Sequence, residues 1–207
     1  MNLTTLTSAE IESILSQQPD QDPYAYFPTE LLDGPPRPAA VLLPLLKTNG
    51  QWEVLFIRRT EVDGDYHSGQ VALPGGAREA EDADNITAAI RETNEELGIQ
   101  SADVEVLGTL NDFITISNYQ VTPVIAEINW PLTLTLAPDE VARAFTLPLN
   151  WLADPANHEI RHRQLPNGLG NASVIYFNKN DGELLWGATA RIIFEFLGVL
   201  GINFPDS

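Results

Sequence analysis

Residues 75–99 read GGAREAEDADNITAAIRETNEELGI, two glycines followed by a run in which Arg91-Glu92 and Glu95-Glu96 are closed by Gly98. On a helix turning ~100° per residue, Glu92, Glu95 and Glu96 fall within ~100° of arc. Ile86, Ala89, Ile90, Thr93 and Leu97 then fill the adjacent packing sector. Like charges three or four residues apart cost a helix about 0.2–0.5 kcal/mol per pair, so helix stability alone disfavours this cluster. No lysine relieves it anywhere between Ala77 and Asn178. Three gathered carboxylates suit a hard divalent cation, which takes oxygen ligands and leaves room for waters and phosphate oxygens. Arg91, four residues before Glu95, is spaced to hold that carboxylate. Gly75 and Gly76 bring backbone groups within reach of a phosphate or a metal, beside the positive end of a helix.

These residues need a scaffold, and the flanking sequence supplies one. Asp84 or Asn85 can cap the acidic helix and Gly98 ends it, which predicts a helix over 85–97. AAVLLPLLKT and QWEVLFIRRT are β-like runs joined by Asn49-Gly50, a strong hairpin signal. VALPGG is a short strand leading into the glycines. VEVLGTL and YQVTPVIAEINW read as further strands, with Pro123 placing the second near an edge or a bulge. Residues 139–153 predict a turn, a strand FTLPL and a short helix at NWLAD. A polar loop carrying His158, Arg161, His162 and Arg163 comes next, and ASVIYFN with ELLWG reads as a second hairpin. Thr7 or Ser8 can cap an N-terminal helix to Gln17, with Ile11, Ile14 and Leu15 inward. The segment 189–200 is a C-terminal helix with Ile192, Ile193, Phe196, Leu197 and Leu200 inward. The pattern predicts an α/β (α+β) fold, a mixed sheet between helices. It forms one domain over 1–207, with 1–34 as an N-terminal helical extension.

Composition narrows the function classes. The chain has no cysteine, which excludes disulfides and thiolate chemistry. No apolar run reaches the ~20 residues of a membrane span, and the first residues lack a secretory pattern, so a cytoplasmic protein without a membrane partner is expected. A net charge of −18 argues against a nucleic-acid partner. It leaves a small anionic ligand open, because charges beyond ~8 Å are screened at physiological salt.

RETNEELGI at 91–99 resembles the second half of the Nudix box, with Thr93 in place of an apolar residue. The first half departs: the outlying glutamate of the family pattern falls on Ala83, and Asp82 keeps the step from Gly76. The loop therefore carries one extra residue. The resemblance implies the Nudix-type α/β/α sandwich and Mg²⁺- or Mn²⁺-dependent hydrolysis of a nucleoside diphosphate derivative. It implies that Glu92, Glu95 and Glu96 bind metal, that Gly75 or Gly76 contributes a nearby carbonyl and that Arg91 orients a glutamate. Asp82 would stand in for the outlying acid.

The preceding segment, LFIRRTEVDGDYHSGQVALPGG, resembles the motif of the coenzyme A pyrophosphatase branch, through Arg59-Thr60, His67, Gly69, Val71, Leu73 and Pro74-Gly75-Gly76. Tyr66 departs from it, standing where that branch often has a basic residue. The substrate implied is coenzyme A or acyl-coenzyme A, cleaved to 3′,5′-ADP and a 4′-phosphopantetheine compound. Arg58, Arg59 and His67 are the nearest cations for its phosphates, although Arg58 and Arg59 alternate faces and one of them is only a surface charge. The cluster at 158–163 is a further anion contact. The general base is Glu140, in the Pro138-Asp139-Glu140 turn, or a glutamate of the box. Two other readings stay open: a Nudix enzyme acting on ADP-ribose, NADH or nucleoside triphosphates, and a Nudix-fold sensor that binds a nucleotide without hydrolysis. Oligomeric state is open too, a homodimer included.

Overall fold

The computed structural model describes residues 3–25, 27, 29–64, 68–165, 170–202 and 204. Strand β1 (Arg37–Thr48) is its axis. It turns at Asn49 and Gly50, with φ of 52° and 77°, into the antiparallel β2 (Gln51–Arg59), closing the register at Thr48 opposite Gln51. Both turn residues adopt the left-handed conformation that matches strand twist, as Asn-Gly predicts. Farther back along the same edge β1 pairs with β4 (Gly75–Ala77), antiparallel, and its other edge pairs with β7 (Tyr119–Ile128), parallel. The order β3 (Val71–Ala72), β2, β1, β7, β5 (Val104–Thr109) is completed by β6 (Phe113–Ile114) on β7 and β8 (Val141–Pro148) on β2.

Because β1 is covered on both faces, it reads as an unbroken apolar run and not as an alternation. Leu43 and Leu45 join the core under α1 (Ser8–Leu15) and α4 (Gly187–Val199), with Ile11, Ile193 and Phe196. Leu42 and Leu46 face the other way, toward α2 (Asn85–Leu97), with Ala88, Ala89 and Leu97. This is the mixed sheet between helices that the sequence predicts. Thr7 caps α1 in a reciprocal capping box with Glu10, and the residues predicted to face inward on α4 are all buried. Among the described residues, no helix is long and apolar enough to cross a membrane.

Pro123 lies in β7 between β1 and β5, close to a bulge as the sequence predicts: the β5–β7 ladder slips between Val106 and Gly108, opposite Ala126 and Ile125. It is tolerated because its carbonyl side faces Leu110, where β5 has ended and β6 has not begun, so no donor is required of it there. The expected polar loop at 158–163 is instead β9 (His158–Gln164), paired antiparallel with β10 (Asn171–Phe177) as a separate two-stranded ribbon. The expected second hairpin forms in part: ASVIYFN is β10, and ELLWG returns antiparallel to its end across the Asn180–Glu183 turn, with the Tyr176–Trp186 bridge and the Phe177 amide on the Leu185 carbonyl at 2.9 Å. The short helix at 149–152, α3, continues directly from β8.

Candidate active site

The acidic helix is set at both ends by local chemistry. Asp84 accepts the Thr87 amide at 2.7 Å, and Gly98 stops the helix with φ of 73°. Thr93, polar where an apolar residue is expected, is fully buried and returns its hydroxyl to the Ala89 carbonyl at 2.7 Å.

The three glutamates do not share one environment. Glu96 lies on the packed side of α2, 2% exposed, and accepts the Gly75 N–H at 3.0 Å. Burial pushes its pKa up to about 8; the Gly75 hydrogen bond and the Arg59 charge oppose this, and the charges of Glu92 and Glu140 add to it. Glu92 rests against Gly76 so closely that a Cβ there would stand 2.5 Å from its Oε1. Burial also raises the Glu92 carboxyl, with Arg91 opposing and with Glu95 and Glu140 adding. Glu95 is exposed.

Arg91 distributes its guanidinium among acids on both sides of the loop. Nε and Nη2 take the two oxygens of Asp82 at 3.1 and 3.0 Å, Nη1 meets Glu92 at 3.0 Å and Glu95 at 2.9 Å, and Nη2 also reaches the Ala77 carbonyl. Asp82 is buried and accepts the Glu79 amide at 2.8 Å as well. The Arg91 fork beside it holds its carboxyl below the usual range. The displaced acid of the loop is thus the buried anchor of Arg91.

The glycines serve different ends. A Cβ on Gly75, at φ 152°, would lie 2.4 Å from the Ala40 carbonyl oxygen, so this position keeps β4 against β1. The three atoms nearest a Cβ on Gly76 all belong to the Glu92 side chain. Arg58 and Arg59 do alternate faces. Arg59 turns toward α2, where Glu96 feels its charge. Arg58 turns to the opposite side and binds Glu183 at 3.0 Å. Glu140 closes the carboxylate set. Its turn is tied to α2 by the Ala137 amide on the Glu96 carbonyl at 3.0 Å, and to β2 by the Thr60 amide on its own carbonyl at 2.9 Å. His67 and Tyr66 lie outside the described residues. On the ribbon, Arg161 contacts Glu159 and Tyr176, Arg163 contacts Tyr176 and Trp186, and His162 contacts Ser173.

Among the described residues, no three acidic or histidine side chains stand as a finished cation cage. Arg91 Nη1 occupies the space between Glu92 and Glu95. The donor chemistry nevertheless fits a divalent cation, because neighbouring carboxylate charges add to the burial that raises the Glu92 and Glu96 carboxyls, and the set offers only oxygens. Sequence reasoning did not find Thr60 as a tether of the Glu140 turn, nor Glu183 and Arg143. Thr60 was signalled by its place beside Arg59, whereas Glu183 carries no motif.

Comparison with known proteins agrees with this arrangement. The model of the NUDIX domain family matches residues 35–167. Proteins named "Uncharacterized Nudix hydrolase NudL" from Escherichia coli (strain K12) and Shigella boydii serotype 4 (strain Sb227) are each 36% identical over 168 residues, covering 81% of this chain and 84% of theirs. The crystal structure of a MutT/nudix family protein from Enterococcus faecalis superposes with a TM-score of 0.50 at 18% identity, over 95% of this chain and 75% of that one, a likeness of fold. With the family match spanning more than half of its residues and relatives alike over four fifths of its length, the chain belongs to the Nudix hydrolase family.

Proposed function

We propose that this Nudix hydrolase cleaves the diphosphate bond of coenzyme A or acyl-coenzyme A, releasing 3′,5′-ADP and 4′-phosphopantetheine or its acyl derivative. The observation that carries the reading is the Arg59-Thr60 to Pro74-Gly75-Gly76 segment, because it puts a cation and a backbone donor at the same buried glutamate. Arg59 places its charge near Glu96, and the Gly75 N–H binds that carboxylate. This supports a site in which a diphosphate is held between Arg59 and the α2 acids.

Glu92, Glu95 and Glu96 would hold Mg²⁺ or Mn²⁺. When bound, the cation neutralises the diphosphate and acidifies the attacking water. Arg91 keeps Glu92 and Glu95 in place while itself fixed by Asp82. Arg59 binds a phosphate oxygen through a charge-assisted hydrogen bond. Glu140, facing Glu92 and Glu96, takes the proton of the attacking water, and the bridging oxygen leaves from the phosphorus that water attacks. The test is a hydrolysis panel with Mg²⁺ and Mn²⁺ against coenzyme A, acyl-coenzyme A, ADP-ribose, NADH and dNTPs, with Glu96→Gln as control. Turnover of coenzyme A by wild type, and its loss in Glu96→Gln, is expected. Preference for ADP-ribose would sink the substrate assignment, and turnover of nothing would sink the enzyme reading.

A further inference from the structure

Arg58 on β2 and Arg143 on β8 are direct cross-strand partners, one step beyond the stacked pair Phe56 and Phe145 on the same face. Like charges directly opposite across strands are destabilising. Glu183 resolves the conflict: it is 5% exposed, and its Oε2 and Oε1 meet Arg58 Nη1 at 3.0 Å and Arg143 Nη1 at 3.1 Å. It is presented by a tight turn in which Asn180 and Glu183 exchange backbone hydrogen bonds, around Asp181 and Gly182 at φ of 48° and 82°. Asp181 adds a second contact to Arg143.

Immediately past this pair the ladder slips. Arg58 stands opposite Arg143, but Arg59 stands opposite Val141. The extra residue, Ala142, is on β8, so the bulge brings Val141 onto the α2 face with Ala144 and re-aims the Glu140 turn before it. Arg59 already has that face by ordinary alternation with Ile57. Thr60 comes next, its amide bound to the Glu140 carbonyl and its hydroxyl to the Pro138 carbonyl, both at 2.9 Å. The β8 bulge and the Thr60 contacts together hold the Glu140 turn on the face of the sheet where the carboxylates are.

We propose that Glu183 is a positioning residue: by neutralising the Arg58–Arg143 pair from one face of the sheet, it fixes the β8 bulge that sets the Glu140 turn beside Arg59 and the glutamates on the other. The proposal rests on the reading of Arg59 and Glu140 as parts of the active site. Glu183 itself touches no reacting group. Its action depends on the charge balance around Arg58 and Arg143, where it is the buried acid and Glu61 and Asp181 are exposed ones, and that dependence separates it from a residue needed only for packing.

The experiment compares wild type with Glu183→Gln, Arg143→Gln and the double variant. Each is assayed for coenzyme A hydrolysis, and the exchange of the Thr60 amide is followed by NMR. Glu183→Gln leaves the facing arginines only the exposed Glu61 and Asp181 carboxylates and is expected to lower kcat about tenfold, or about 1.4 kcal/mol. KM should move less than about threefold, and Thr60 exchange should speed up. Arg143→Gln alone keeps one arginine on Glu183 and stays near wild type. The double variant removes the repulsion and is expected to recover most of kcat and of the Thr60 protection. Wild-type kcat and exchange in Glu183→Gln would overturn the proposal, as would a loss confined to KM or a loss that the double variant does not recover. If Glu183→Gln does not fold, the double variant decides alone: slow Thr60 exchange in it supports the proposal, and failure to fold overturns it. If wild type does not turn over coenzyme A, the substrate assignment fails, and Thr60 exchange still tests the clamp.

Discussion

Replacing Gly76 by alanine should separate chemistry from folding. The new Cβ would stand 2.5 Å from Glu92 Oε1, 2.6 Å from its Cδ and 2.8 Å from its Oε2, and it meets nothing else within those distances. Reaching an ordinary contact of 3.4 Å from 2.5 Å requires the Glu92 carboxylate to move 0.9 Å. That group is the free end of a side chain, so the fold can yield at the cost of a weakened contact with Arg91, about 1 kcal/mol and ~2–4 °C in Tm for a domain of this size. Catalytic geometry is less forgiving: a displacement of about 1 Å costs on the order of 100-fold in rate, or about 2.7 kcal/mol. Gly75→Ala is the contrast. Its Cβ meets the Ala40 carbonyl oxygen at 2.4 Å and the Val41 Cα at 2.6 Å, at a left-handed φ of 152°, so β4 cannot stay on β1 and a loss above about 4 kcal/mol is expected. Paired measurements of kcat/KM with Mg²⁺ and of Tm decide the matter. A Gly76→Ala enzyme within twofold of wild type, or one that unfolds as Gly75→Ala does, would refute the reasoning.

Arg91→Ala leaves Asp82 buried without its cation, and chemical denaturation should show a loss of about 3–5 kcal/mol, larger than that of Asp82→Asn. The Asp82 carboxyl is held below its ordinary 3.8, so its contribution is complete above that pH and is lost as pH falls through the lower folded value; a wild-type stability profile with no decline below pH 4 would contradict this. His158 is enclosed by Phe177, Phe194 and Phe204, and burial holds its pKa below 6.5. The unfolded chain therefore binds more protons, and stability present above pH 6.5 should fall as pH drops below it; in His158→Leu that slope should flatten. Glu195 buries an oxygen without a hydrogen-bond partner, and burial raises its pKa. Its ionised form opposes folding above the ordinary carboxyl pKa, so Glu195→Met should raise the denaturation midpoint at pH 8 more than at pH 4.

Much of the frame was legible because local signals and tertiary needs agree. Asn49-Gly50 demanded its turn, Asp84 and Gly98 bounded their helix, and β1 announced itself by being apolar on both faces. The ribbon strand β9 was illegible for a physical reason. Its sequence, HEIRHRQ, has a single apolar residue, Ile160, since among the described residues its outer edge pairs with no further strand, and charged side chains suit such an edge. Pro123 signalled an irregularity beside its strand, and the topology shows which: β5 slips between Val106 and Gly108 and ends before Leu110.

The acidic helix marks the limit of what spacing can tell. Periodicity places Glu92, Glu95 and Glu96 on one arc and treats them as equivalent, but burial and one arginine make them three different groups. Arg91 already satisfies Glu92 and Glu95 in part, as well as Asp82, which its fork holds charged. Glu96 is offered only a backbone amide and the Arg59 charge, against the fields of Glu92 and Glu140. An acid in that position must either keep a proton or gain a cation. The buried Glu96, and not the more visible pair it forms with Glu95, is therefore where the demand for positive charge is greatest, and the backbone of Gly75, the strand end at Arg59 and the turn at Glu140 all converge on it.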